Sequence, residues 1–218
     1  MSRIWACLMG VTLVLGLTAP AKATLINMGD GTIYDTDRQL SWLQDANYVR
    51  TSGYDADGLM TWSQAVTWAD SLNFAGFDNW RLPTTLQPDS TCGTQSGDVS
   101  YGYGCTGSEM GHLFYSELGG TAGSSILTSG DPDLALFSNL QRSWYWSGTE
   151  YVPSSDTDLA WLFSFHTGYQ IAGLKHAQFS ALAVRPGERS TAVPEPATGL
   201  LLGAGLAGMV LWRRRLAA

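Results

Sequence analysis

Short apolar runs separated by turn-forming residues set the rhythm of this chain. Thr32-Ile33-Tyr34 and Leu40-Ser41-Trp42-Leu43 read as two strands, and Asp35-Thr36-Asp37-Arg38 supplies the turn that pairs them as a hairpin. The period then changes. Thr61-Trp62-Ser63-Gln64 carries the Thr and Gln of a capping box, and Trp62, Ala65, Val66, Ala69 and Leu72 recur at helical spacing, so a helix is predicted over 61–72. Next comes Gly76-Phe77-Asp78-Asn79-Trp80-Arg81-Leu82-Pro83-Thr84. Pro83 fixes its own φ and pushes Leu82 toward extended geometry, so this stretch is strand-like and then turns sharply. It suits a structural junction better than a reactive centre. Ser108 can cap a second helix over 109–118, with Met110, Leu113, Phe114 and Leu118 inward and Gly119-Gly120 as its stop. Strands over 144–149, 159–165, 169–173 and 181–185 complete the pattern, and Phe165-His166-Thr167-Gly168-Tyr169 is the turn between two of them. Residues 87–107 and 121–143 read as loops.

The two ends of the chain follow other rules. Residues 1–23 combine Arg3, an apolar run over 4–17 and Ala21-Lys22-Ala23, the pattern of a cleaved secretory signal, and the run is too short to span a bilayer comfortably. At the other end Pro194-Glu195-Pro196 precedes an apolar run over 197–212 and then Arg213-Arg214-Arg215. As a helix that run would reach roughly 24 Å, slightly short for a bilayer but within reach with flanking anchors and the arginines on the cytoplasmic side. The chain is thus expected to consist of a signal peptide (1–23), one domain (24–187), a linker (188–192) and a C-terminal segment with a transmembrane helix (193–218).

Within residues 24–187, 6 Lys and Arg face 17 Asp and Glu, a formal charge of −11. That balance argues against nucleic acid, anionic membrane surfaces and polyanionic glycans as partners. It leaves divalent cations and cationic polymers open. Cys92 and Cys105 remain once the signal is removed, and an even pair in an exported domain reads as a disulfide. A lone C-x12-C pair is a poor zinc signature.

Candidate chemistry is sparse. Asp55-Ala56-Asp57-Gly58 resembles half of a calcium loop but lacks the distal Glu, so calcium is one reading of Asp55 and Asp57 and turn-capping the other. His112 and Glu117 miss the i, i+4 spacing of a metalloprotease helix, which favours a surface or half-buried histidine. Asp156 and Asp158 imitate a glycosidase dyad within a turn-like segment. Strand alternation puts Trp144 and Trp146 on one face. With Trp161 they are either core or a stacking surface for a glycan.

Several of these stretches resemble one family. The W-x-x-A helix, the Gly-aromatic turn and Trp80-Arg81-Leu82-Pro83-Thr84 are similar to the family named for the C-terminal domain of the bacterial collagen-like adhesin Lcl. So are the opening hairpin signature over 37–42 (slightly compressed from D-x-x-x-x-L-x-W), the strand Trp144-Tyr145-Trp146-Ser147-Gly148-Thr149 and the closing Ala181-Leu182-Ala183-Val184-Arg185-Pro186. The Arg-Leu-Pro-Thr element also looks like that of C-type-lectin-like and formylglycine-generating-enzyme-like folds. The resemblance implies a compact α+β domain with a twisted antiparallel sheet, two flanking helices and long loops. It carries over no catalysis, since the oxidase relatives depend on reactive cysteines near their C-terminal end and this chain has no Cys after Cys105. Gln87-Pro88-Asp89 spells a lectin sugar triplet but lacks its distal partner. The C-terminal segment resembles a PEP-CTERM sorting signal, which implies an exosortase as processing partner, a transient stay in the inner membrane, and export to the cell surface or extracellular polysaccharide matrix of a Gram-negative bacterium. The expected function is a non-catalytic adhesion or glycan-binding module, with a purely structural matrix component or an enzyme on matrix polysaccharide as the alternatives. No cofactor is expected apart from the open question of calcium.

Overall fold

A computed structural model of the chain describes residues 25–152 and 158–187. The signal-like segment, Asp156 and the whole sorting segment with Pro194, Glu195, Pro196, Arg213, Arg214 and Arg215 lie outside the described residues. Among the described residues no helix is long and apolar enough to cross a membrane.

The fold is α+β with antiparallel sheets and few helices. The predicted hairpin forms as β2 (Thr32–Asp35) and β3 (Leu40–Leu43). β1 (Leu25–Asn27) extends it on one side and β9 (Val184–Pro186) closes it on the other, giving the order β1-β2-β3-β9. Asp35 makes the turn, its Oδ1 accepting from the backbone N–H groups of Asp37 and Arg38 at 3.0 and 2.9 Å. The Asp-x-x-x-x-Leu-x-Trp signature therefore begins at Asp35 with its full spacing, not at Asp37. A second sheet, order β6-β7-β8, comprises Trp144–Glu150, Leu159–Ser164 and Gln170–Leu174.

Instead of one twisted sheet, the described residues build three small ones, with isolated bridges tying strands to the segments between them. Val184 is held on both sides, paired with Trp42 of β3 and bridged to Arg81, whose N–H and C=O exchange 2.8 Å bonds with it. The closing strand is shorter than the predicted 181–185 because residues 181–183 run between sheets: Ser180 bridges Tyr145 of β6, and the Ala183 carbonyl accepts from Leu43. Trp42, Tyr145, Trp146, Phe114, Phe163 and Phe165 are fully enclosed where these pieces meet. Edge-to-face contacts join Phe114, Phe163, Phe165 and Tyr145 at 5.1–6.1 Å between ring centres, the arrangement that aromatic quadrupoles favour.

The helices follow the capping signals. After the short α1 (Tyr48–Thr51), α2 (Trp62–Asp70) begins at the expected box, Gln64 Oε1 reaching the Thr61 N–H at 2.9 Å. Ala65, Trp68 and Ala69 are its buried face. The second predicted helix is a correction. Only α3 (Glu109–His112) is α-helical; Leu113–Glu117 continues as a π-helical turn, closed by the Leu118 N–H on the Leu113 carbonyl. The 121–143 loop contains two 3-10 turns, Ile126–Thr128 and Pro132–Leu136, the second started by Asp131 accepting from Asp133 N–H.

Candidate functional site

The Trp-Arg-Leu-Pro-Thr segment is the structural hub that the sequence suggests. Trp80 is buried, with its ring edge-on to Phe74. Arg81 forks onto Glu109, NH1 to Oε2 and NH2 to Oε1, both at 2.7 Å, and Glu109 Oε2 also accepts the Thr84 N–H at 2.7 Å. The turn after Pro83 is thereby tied to the start of α3. Pro83 itself contributes its carbonyl, which accepts from the Gly148 N–H and the Ser147 hydroxyl of β6. Arg185 stacks on Phe77 with its guanidinium 3.4 Å from the ring centre and donates to the Pro186 carbonyl. Both arginines serve the frame.

Cys92 and Cys105 are joined as expected, and both are buried. The loop they staple is more ordered than its composition suggests. It holds a hairpin, β4 (Thr94–Ser96) and β5 (Val99–Tyr101), turning at Gly97-Asp98. A two-residue Gly-Asp link between short β-compatible runs was its signal in the sequence. Gln87 is turned inward, bonding both the N–H and the C=O of Ser100. Asp89 is also enclosed, accepting from Thr91 and the Ser108 N–H. The lectin-like triplet thus secures this hairpin. Gly102 exchanges backbone bonds with Gln170 and ties the hairpin to β8.

The hairpin overhangs the β6-β7-β8 sheet and leaves a groove. Two adjoining hollows of about 380 and 630 Å³ share Ser96, Val99 and Trp161. Tyr101, Tyr151 and Ile171 line one, and Asp98, Thr149 and Glu150 the other. Trp161 is only 1% exposed yet stands apart from the main core cluster, tilted against Tyr151 at 5.5 Å. It is the floor of the groove.

The three candidate tryptophans do not converge. Trp146 pairs with Leu162, the neighbour of Trp161, so strand alternation sends Trp146 and Trp161 to opposite faces. Trp146 is fully enclosed, edge-on to Phe179, and its Nε1 donates to the Met60 carbonyl at 2.7 Å. Trp144 is half-buried against the core. Asp55 and Asp57 cap their own turn: Asp55 Oδ1 accepts from the Asp57 and Gly58 N–H groups and Asp57 Oδ1 from Leu59. Backbone bonding from Asp57, then the Asp57 side chain and Gly58, holds the Asp55 carboxyl below its ordinary range. Asp158, exposed, lies 3.2 Å from His176.

A second constellation escaped the sequence. His112 is buried, not surface-lying, with its Nε2 3.0 Å from Glu117 Oε1, 3.3 Å from Asp37 Oδ2 and 4.0 Å from Asp35 Oδ2. Five residues apart, His112 and Glu117 would stand about 140° apart round an α-helix. The π turn brings them to one side. Asp35 and Glu117 are both enclosed, and burial pushes the Asp35 carboxyl above its ordinary range, with the nearby Glu117 charge acting in the same direction. The two carboxylates come from β2 and from the π turn, 82 positions apart, so no local spacing could announce them.

Residues 31–185 match the family model of the Lcl C-terminal domain, and residues 192–215 match that of the PEP-CTERM protein-sorting motif. No curated protein matches the chain at a significant level.

Proposed function

The chain belongs to the Lcl C-terminal domain family and ends in an exosortase sorting signal, and from that premise we propose a non-catalytic glycan-binding module displayed at the cell surface or in the extracellular polysaccharide matrix. Export and sorting follow from the motif itself. The binding role rests on one observation: the groove beneath the β4-β5 hairpin is floored by Trp161 and walled by Tyr101 and Tyr151. Aromatic faces at the edge of a cleft suit the apolar faces of sugar rings, and they do so without fixed charge. Asp98 and Glu150 line the same groove, and the domain carries −11 overall. A neutral or amine-bearing polysaccharide is therefore the ligand class assigned, in preference to a sulfated or carboxylated one. This reading takes the fold as a lectin-like variant and the apolar segment over 197–212 as the temporary anchor that holds the chain in the inner membrane until processing.

The test is binding of the full chain, purified in detergent, to a glycan array that includes the host's own exopolysaccharide, with calcium and with chelator. Tyr101→Ala and Tyr151→Ala are expected to weaken binding at least tenfold, while Trp144→Ala leaves it unchanged. Binding insensitive to both tyrosines would refute the groove as the site. Absence of any binding would favour a purely structural matrix component.

A further inference from the structure

From the buried constellation of Asp35, His112 and Glu117 we infer a binding site for one divalent transition metal ion, with zinc as the best chemical match. One donor atom from each of Asp35, His112 and Glu117 lies within 4.8 Å of the other two, and all three residues are buried. Donors around a tetrahedral zinc ion at 2.0–2.2 Å are separated by about 3.4 Å. The distances from Nε2 to the neighbouring carboxylate oxygens, 3.0, 3.3 and 4.0 Å, bracket that value.

An independent observation points the same way. Asp35 Oδ2 is fully buried and accepts no hydrogen bond among the described residues, although it faces the imidazole. An ionised carboxylate oxygen enclosed without a partner is among the most costly arrangements in a protein interior. The other oxygen of the same carboxylate is pinned by the Asp37 and Arg38 N–H groups, so Oδ2 is aimed by the hairpin turn. Outer hydrogen bonds of this kind orient metal ligands. Charge agrees as well. Asp35, Glu117 and the neighbouring Asp37 gather three carboxylates round one imidazole, and a dication offsets two of their negative charges.

The donor set selects the ion. One imidazole nitrogen among carboxylate oxygens suits zinc, with manganese and iron(II) less well matched, and an imidazole is a poor ligand for calcium or magnesium. The Asp37 side chain is 54% exposed with its Oδ2 3.3 Å from Nε2. It stands at the mouth of the site, where it supplies a fourth ligand and a route in from solvent. The ion would join the β2-β3 turn to the π turn, two segments that share no strand pairing. Such a site is structural in kind.

The experiment uses the full chain in detergent, stripped with EDTA and titrated with zinc by calorimetry, and with cobalt(II) followed by visible absorption. One equivalent of zinc is expected, a 100-fold excess of calcium should not compete, and cobalt should give the d–d bands of a low-coordinate N/O site. Glu117→Gln, which keeps size and shape, should weaken zinc at least tenfold, and His112→Gln should abolish the cobalt bands. Asp37→Asn, at the surface, should weaken zinc several-fold while leaving the melting of the metal-free chain unchanged, so that arm does not depend on a disturbed core. Failure of the wild-type chain to retain stoichiometric zinc, or equal affinity in all three variants, would overturn the proposal.

Discussion

Glu109 offers the sharpest test of the hub. It holds Arg81 by two 2.7 Å bonds and Thr84 by a third, and its side chain is 13% exposed against 33% for Arg81. Glu109→Gln keeps the shape and removes the charge. Whichever end of the new amide carries the NH2, one of its donors must face a donor of Arg81 or Thr84. The oxygen would stay at the Oε2 position, where it keeps two partners, so one Arg81 bond is lost, the Thr84 bond falls to ordinary strength and the remaining Arg81 bond is charged on the donor side alone. Charge-assisted bonds contribute about 1.5–3 kcal/mol and neutral ones about 1. The exposed third of Arg81 lets water replace part of the loss, as at other exposed ion pairs. The expected cost is about 2 kcal/mol, or a fall in melting temperature of about 4–8 °C for a domain of this size. Urea unfolding of the full chain in detergent, followed by tryptophan fluorescence, should show a lower midpoint with an unchanged slope. Arg81→Met should cost a similar amount, and the double variant should fall well short of the sum. A Glu109→Gln chain within about 0.5 kcal/mol of wild type would refute the view that this fork holds the turn to α3.

Three further outcomes follow from the packing. A Cβ on Gly111 would overlap the Cys105 carbonyl, a backbone atom that cannot yield, so Gly111→Ala should destabilise by about 3 kcal/mol or more and show as a large drop in thermal midpoint. Reduction of the Cys92–Cys105 bridge reopens a loop of sequence separation 13 and should cost about 3 kcal/mol in the chain-entropy account, read as a lower urea midpoint in dithiothreitol. Trp146→Phe keeps most of the buried ring but leaves the Met60 carbonyl without its indole donor. That change should cost about 1–3 kcal/mol by thermal melting, whereas Trp144→Phe at its half-buried position should cost less.

What the sequence determined by itself is what depends on neighbours along the chain. The short apolar runs on either side of the Asp35 turn produced the hairpin, because strand propensity and turn chemistry are local. The Thr61 and Gln64 box started α2 where expected, and an even pair of cysteines in an exported chain met as a disulfide. The family motif and the sorting motif were legible for the same reason: their residues are contiguous. Tertiary structure decided the rest. The three tryptophans looked equivalent, yet strand pairing buried Trp146 in the core and set Trp161 under the hairpin, a choice that rests on a partner strand 16 residues or more away. Helical spacing separated His112 from Glu117 until a π turn, closed between Leu113 and Leu118, turned them to one side. Asp35 joined them only because β2 is packed against that turn. Periodicity can assign a residue to a face, but only the packing of one element on another settles which groups share a buried space.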